Sequence, residues 1–169
     1  MVIRNVRIWA LKQETFAPFG TFDDLTSLPS VAFGASPVLF SPDRLRLDMN
    51  GKSTLGISIC QVTARPIIVD TTEYHETCEG ILPLDGNVVI HVAQPSANGD
   101  VPWDRIQAFV VPMGTCVVLH KGVWHHAPFA CNGTVNVLIL LPDRTYAQDC
   151  TVVDLTSLEG HDRRTQLEI

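Results

Sequence analysis

The chain has 169 residues, 12 Lys and Arg against 18 Asp and Glu, and 46% hydrophobic residues. That length predicts a single domain over residues 1–169, large enough to bury a core without a disulfide or structural metal. The net charge of −6 argues against binding nucleic acid or an anionic membrane, and a charged fraction of 18%, below the roughly 25% of soluble domains, predicts surface covered by another copy of the chain.

In chain order, the first predicted element is a short helix over Lys12–Ala17. Residues 23–52 follow, with Pro29, Pro37 and Pro42 among Ser, Ala and Gly, then Asp43, Arg44, Arg46 and Asp48. This stretch reads as a long loop or arm with one edge strand. Short apolar segments then recur at Leu55–Cys60, Pro66–Val69, Asn87–Val92, Ile106–Val111, Cys116–His120 and Val135–Leu141. They are rich in Val and Ile, and turn pairs divide them at Asp85-Gly86, Asn98-Gly99, Met113-Gly114, Lys121-Gly122 and Asn132-Gly133. Such spacing predicts an all-β antiparallel sandwich or barrel. A second short helix is predicted around Leu155–His161.

The five cysteines, Cys60, Cys78, Cys116, Cys131 and Cys150, are odd in number and lack Cys-x-x-Cys spacing. No signal peptide is read in Met1–Ala10, and no apolar run reaches the roughly 18 residues of a membrane span. A reduced, cytoplasmic location is expected.

Residues with metal-ligand character gather in two segments, Glu73–Gly86 and Gly114–Phe129. Glu73 and His75 are two apart, so on a continuous strand they share a face; Glu79 keeps that parity if no bulge intervenes. In the second segment His120, His125 and His126 cluster around Lys121-Gly122. Adjacent His125 and His126 cannot both face inward. Mixed Glu and His donors suit a divalent first-row metal: Mn, Fe, Co, Ni or Zn.

The spacing resembles that of cupins. Glu73-x-His75-x3-Glu79-x6-Gly86 matches the usual first cupin motif, with Glu in place of the first His and Ile67 where the leading Gly would stand. Gly114-x5-His120-x-Gly122-x2-His125-x3-Phe129 matches the second motif, with Pro and Asn replaced. The resemblance implies a cupin-type barrel, a double-stranded β-helix, whose metal ligands are Glu73, His75, Glu79 and His125. His126 then points away from the metal.

The stretches LKQETFAPFG, ISICQVTARPIIVDTTEYHE, HKGVWHHAPFA and QDCTVVDL resemble the ureidoglycolate lyase family, formerly called ureidoglycolate hydrolase. They lie outside residues 23–52, and Val123-Trp124-His125-His126 after a Gly turn is the most specific piece. The run Glu76-Thr77-Cys78-Glu79-Gly80 departs from the family's best-known members and makes the site more like a standard metal cupin. The resemblance implies a homodimer that splits ureidoglycolate, a small-molecule substrate, into urea and glyoxylate in purine breakdown.

Ureidoglycolate is a carbinolamide: one carbon bears a carboxylate, a hydroxyl and a ureido nitrogen. Cleavage needs a clamp for the carboxylate, removal of the hydroxyl proton and a proton for the departing urea nitrogen. A metal would bind the carboxylate and hydroxyl oxygens and lower the hydroxyl pKa. His120 is the candidate acid/base, or a structural residue capping its turn. Lys121 or Arg65 would hold the carboxylate, or sit as solvated surface charge. Trp124 would wall the pocket, or simply pack, and Cys78 is expected to be an inert thiol. Two other readings stand beside the lyase. One is a different metal-dependent cupin enzyme (isomerase, epimerase or dioxygenase) and the other is a non-catalytic small-molecule binder.

Overall fold

The computed structural model describes residues 4–27 and 32–168. Its strands are β1 (Arg4–Ala10), β2 (Gly20–Asp24), β3 (Phe33–Ala35), β4 (Val38–Phe40), β5 (Leu55–Thr63), β6 (Ile68–Val69), β7 (Thr71–Tyr74), β8 (Glu79–Pro83), β9 (Val88–Val92), β10 (Gln107–Val111), β11 (Thr115–Leu119), β12 (Phe129–Ala130), β13 (Thr134–Pro142), β14 (Thr151–Asp154) and β15 (Thr165–Glu168). Two one-turn helices, α1 (Gln13–Phe16) and α2 (Thr145–Gln148), and a 3₁₀ turn at Trp103–Arg105 complete the described elements.

The strands form a six-stranded sheet in the order β12-β9-β10-β1-β15-β6 and a five-stranded sheet in the order β2-β11-β8-β13-β5. Val88, Ile90 and Val92 of β9, Phe109 and Val111 of β10, Ile81 of β8 and Val117 and Leu119 of β11 fill the core between them. Phe16 of α1 and Phe19 join that core, with Phe16 edge-on to Phe109 at 5.2 Å between ring centres. The alternate residues of the six-stranded sheet face a second apolar cluster of Val6, Ile8, Val89, Trp124, Leu155 and Leu167. β9 is therefore buried on both faces, which explains its unbroken run of apolar residues apart from His91.

This is the all-β, cupin-type barrel expected from the sequence, and each apolar segment named above lies in or overlaps a strand. Three expectations change. The pairing is not purely antiparallel, because β1 runs parallel to both β10 and β15. Nearly a hundred residues or more separate these partners, so no tight hairpin dictates their direction. No helix forms over Leu155–His161. Leu155 is buried, Glu159 and Gly160 take positive φ, and Leu158 bridges to His161. The second helix is α2 instead. Within residues 23–52 the structure places the end of β2 and a complete hairpin, β3–β4, rather than one edge strand; Pro29 lies outside the described residues.

Candidate metal centre

Two chain segments meet at the site. Glu73 and His125 form an isolated antiparallel bridge, exchanging both backbone hydrogen bonds (Glu73 N–H to His125 O, 2.6 Å; His125 N–H to Glu73 O, 2.8 Å). Gly122, at φ +74°, donates its N–H to His75 O at 2.8 Å. That positive φ is the reason the Lys121-Gly122 turn carries glycine. Glu79 opens β8 directly opposite Leu119 of β11 and shares the inward face of Ile81.

The result is a buried triad. His75 Nε2 lies 3.1 Å and His125 Nε2 3.0 Å from the same oxygen, Glu79 Oε2. The three donor atoms all fall within 4.8 Å of one another. The two rings stand edge to face, 5.0 Å apart.

The far side of each ring is fixed. His125 Nδ1 donates to Val123 O at 2.8 Å, and His75 Nδ1 donates to Thr77 O at 2.9 Å, with Thr77 Oγ1 at the same distance. Backbone carbonyls thus select the Nδ1–H tautomer of the neutral rings and leave both Nε2 lone pairs aimed at the centre. Two imidazole nitrogens and one carboxylate oxygen, convergent and shielded from water, fit a divalent first-row metal ion.

The electrostatics agree. Burial alone would raise the Glu79 carboxyl, but the charge and hydrogen bond of His125, then those of His75, outweigh it and hold the pKa at about 2. Burial opposes charge on His125 as well; the Glu79 carboxylate outweighs it and raises the imidazole above its ordinary value, with a smaller push from Glu73. Without a metal, Glu79 and His125 form a buried ion pair.

Three of the four expected ligands therefore converge, and Glu73 stands apart. Its carboxylate is not in the group of donor atoms that falls within 4.8 Å. The bridge to His125 puts both side chains on one side of the pairing. The Glu73 carboxylate accepts the Cys150 thiol at 3.3 Å. Burial first, then this hydrogen bond and the Glu73 charge, push Cys150 up to about 12, so the thiol stays protonated.

The other candidates are scattered. His120 and Lys121 are exposed and line a cleft of about 640 Å³ with Val118, Cys78, Arg44 and Arg46. Val118 alternates with Val117 and Leu119 along β11, so this cleft lies on the sheet face opposite the triad. Arg65 is exposed and stacks over the Phe129 ring at 4.9 Å. Trp124 is buried in the second apolar cluster, 4.6 Å from the Tyr74 ring, and lines a cavity of about 140 Å³ with Tyr74, Glu76, Pro95 and Gly122. His126 is half-buried and takes no place in the triad.

Sequence reasoning missed His91, which is 1% exposed on β9. Thr72 Oγ1 donates to His125 O at 3.2 Å and accepts from His91 Nε2 at 3.3 Å. A hydrogen-bonded chain thus runs from His91 to the backbone of a triad residue. Burial, reinforced by the nearby His125 and His126, lowers the His91 pKa to about 3 and keeps it neutral. A histidine inside a run of valines and isoleucines was the available signal.

Two packed β-sheets with a buried His-Glu-His centre that could hold a metal ion define a cupin-type protein. The sequence pattern of the ureidoglycolate lyase family matches residues 3–159, and the chain belongs to that family. A ureidoglycolate lyase of Rhodobacter capsulatus is 31% identical over 141 residues, covering 80% of this chain and 86% of that protein. One of Burkholderia mallei is 26% identical over 143 residues, covering 82% of each. Among solved structures, a dTDP-4-dehydrorhamnose 3,5-epimerase from Elizabethkingia anophelis superposes with a TM-score of 0.46 at 9% identity, covering 77% of this chain and 75% of that one.

Proposed function

We propose that this chain is a cytoplasmic, homodimeric ureidoglycolate lyase that splits ureidoglycolate into glyoxylate and urea during purine breakdown. The convergence of His75, Glu79 and His125 on one point carries the reading. These three residues would hold a divalent ion, Mn, Ni, Zn or Fe. When bound there, such an ion supplies Lewis acidity toward the carboxylate and hydroxyl oxygens of the substrate.

The chain's own residues account for the rest. The Nδ1–H bonds of both histidines hold their rings in place, so little reorientation is needed when substrate arrives. The triad side chains are themselves buried, which limits water at the point where they converge. Glu73, beside His125 and outside the donor set, takes the hydroxyl proton; the C–N electron pair leaves with the ureido nitrogen as the carbonyl of glyoxylate forms. Glu73 then returns the proton to that nitrogen, completing urea, so one proton moves from oxygen to nitrogen and nothing else is consumed. The Cys150 thiol occupies one carboxylate oxygen, Glu73 Oε2, and leaves the other to the substrate. His120 and Lys121 act from the opposite sheet face, as cleft residues rather than as the proton carrier and carboxylate clamp.

The test is Glu73→Gln. A proton carrier lost in this way lowers kcat by roughly 100-fold or more while metal content, read by elemental analysis, is unchanged. Loss of metal would return Glu73 to the ligand set, and unchanged kcat would remove it from the mechanism. The alternative cupin reactions fail if glyoxylate and urea appear in equal amounts without oxygen uptake. A non-catalytic binder would show affinity with no release.

A further inference from the structure

We propose that Ser58, on the inner face of β5, is a specificity-determining residue whose hydroxyl binds the ureido end of the substrate. The inference deepens the lyase reading and rests on it. Paired residues of neighbouring antiparallel strands point to the same side of a sheet. Ser58 pairs with Ile139, and Ile139 pairs with Ile81. Ile81 belongs to the core between the sheets and Ile139 packs against it, so Ser58 faces inward as well. Glu79 stands two residues before Ile81 on the same face, one step nearer the end of the sheet. The triad and Ser58 therefore border one interior space.

That space is open at Ser58. The inward residues of β5 are Gly56, Ser58, Cys60 and Val62, so the side chains shrink toward the end where Glu79 lies. Cys60 and Val62 pack against the core, whereas Ser58 is exposed although it faces inward. A residue on the inner face of a packed sheet reaches water only where the interior opens. Cys60, one inward position further on, supports the placement. Burial, and then the charge of Glu79, raise its thiol above the ordinary value, so the carboxylate is felt along this wall. Neighbouring strands lie about 4.8 Å apart and alternate residues about 6.8 Å along a strand, which sets the Cα atoms of Ser58 and Glu79 about 12 Å apart. Their two side chains, a metal ion and a small acid fill that distance.

The chemistry of the wall selects the ligand. No Lys or Arg stands at an inward position of β5, β8 or β13. A substrate whose far end carried a second carboxylate would find no counter-charge there. A ureido group is neutral and offers N–H donors and one carbonyl. A hydroxyl both donates and accepts, so Ser58 can meet either. With the carboxylate and hydroxyl oxygens of ureidoglycolate held at the triad, the ureido group is the part left to extend toward β5. Ser58 binds it there and takes no part in the proton transfer.

The experiment is steady-state release of glyoxylate by the wild type, Ser58→Ala and Ser58→Leu, with elemental analysis and far-UV circular dichroism on each. Ser58→Ala is expected to raise KM for ureidoglycolate about three- to tenfold, the worth of one hydrogen bond between neutral groups, with kcat within about twofold. Inhibition by glyoxylate, which has the carboxylate but no ureido end, is expected to stay within about twofold of wild type, a split that a merely structural role would not produce. Ser58→Leu, which projects into the same space, lowers kcat/KM at least about 100-fold with native spectrum and metal content. Gln61→Ala, exposed on the outward side of β5, is the control and keeps wild-type kinetics. An unchanged KM in Ser58→Ala overturns the proposal and leaves the lyase reading standing. An unaffected Ser58→Leu overturns it as well, because substrate then does not lie against this wall. Equal loss of affinity for ureidoglycolate and glyoxylate in Ser58→Ala also overturns it, because the change then acts at the triad. A wild type that releases no glyoxylate overturns the lyase reading and this proposal with it.

Discussion

Glu79 is the residue on which the site turns. Its Oε2 lies 3.1 Å from His75 Nε2 and 3.0 Å from His125 Nε2, and it is the only carboxylate in the converging group among the described residues. Glu79→Gln and His125→Ala are expected to abolish bound metal, measured by elemental analysis, while circular dichroism stays native. In metal-free protein Glu79→Gln also costs on the order of 3 kcal/mol, because it leaves half of a buried pair. The pH dependence of metal-free stability follows from the same pair. The folded pKa of Glu79, about 2, lies below its ordinary 4.5, so its contribution is complete above about pH 4.5 and fades as the pH falls toward 2. His125 has the opposite sign: its folded pKa is raised, so its contribution is complete below its ordinary 6.5 and is lost as the pH rises through the raised value. Urea midpoints of metal-free protein should therefore be highest between about pH 4.5 and 6.5. The two losses are one interaction seen from either side. A flat profile from pH 3 to 9 would show that the pair is absent.

At the scale of elements, the bridge between Glu73 and His125 and the short loop from His75 to Glu79 do what the individual residues cannot. They bring a four-residue spacing and a residue 46 positions further on to one point. The His91–Thr72–His125 chain braces that bridge from the other side of the strand. Thr72→Val removes both hydrogen bonds and leaves the His91 N–H buried without a partner, at a cost of about 1–3 kcal/mol by urea unfolding. A cost near zero would show that the chain is ornamental. Gly20 makes a similar case for the pairing of β2 with β11. A Cβ there would run into Val118 O, so Gly20→Ala should destabilise by about 1–3 kcal/mol or displace β2. The sequence was legible at this level wherever spacing alone carries the information. His75, Glu79 and His125 could be named because ligands must converge, and β9, β11 and β13 because apolar runs between turn residues leave few alternatives. Glu73 shares a face with His125, as spacing suggested, but its carboxylate lies outside the converging donor set and accepts the Cys150 thiol, a contact 77 positions away that no spacing announces. His91 was hidden by the same apolar run that revealed its strand. The expected helix at Leu155–His161 failed because Ser157, Glu159 and Gly160 serve turns that bury Leu155 against the second apolar cluster.

For the whole molecule, two sheets and a belt of second-cluster residues hold the triad away from solvent, and the parallel insertion of β1 ties the ends of the chain together through β15 and β10. Pairings this far apart in sequence were beyond the reach of local pattern. Family membership and the triad together make ureidoglycolate cleavage the central claim. The most direct test is glyoxylate release from ureidoglycolate by the purified protein and by His125→Ala. Sustained release by the wild type, reduced at least about 100-fold in the variant, is the predicted result. No release by wild-type protein carrying one metal ion per chain, or equal release by both proteins, would contradict it.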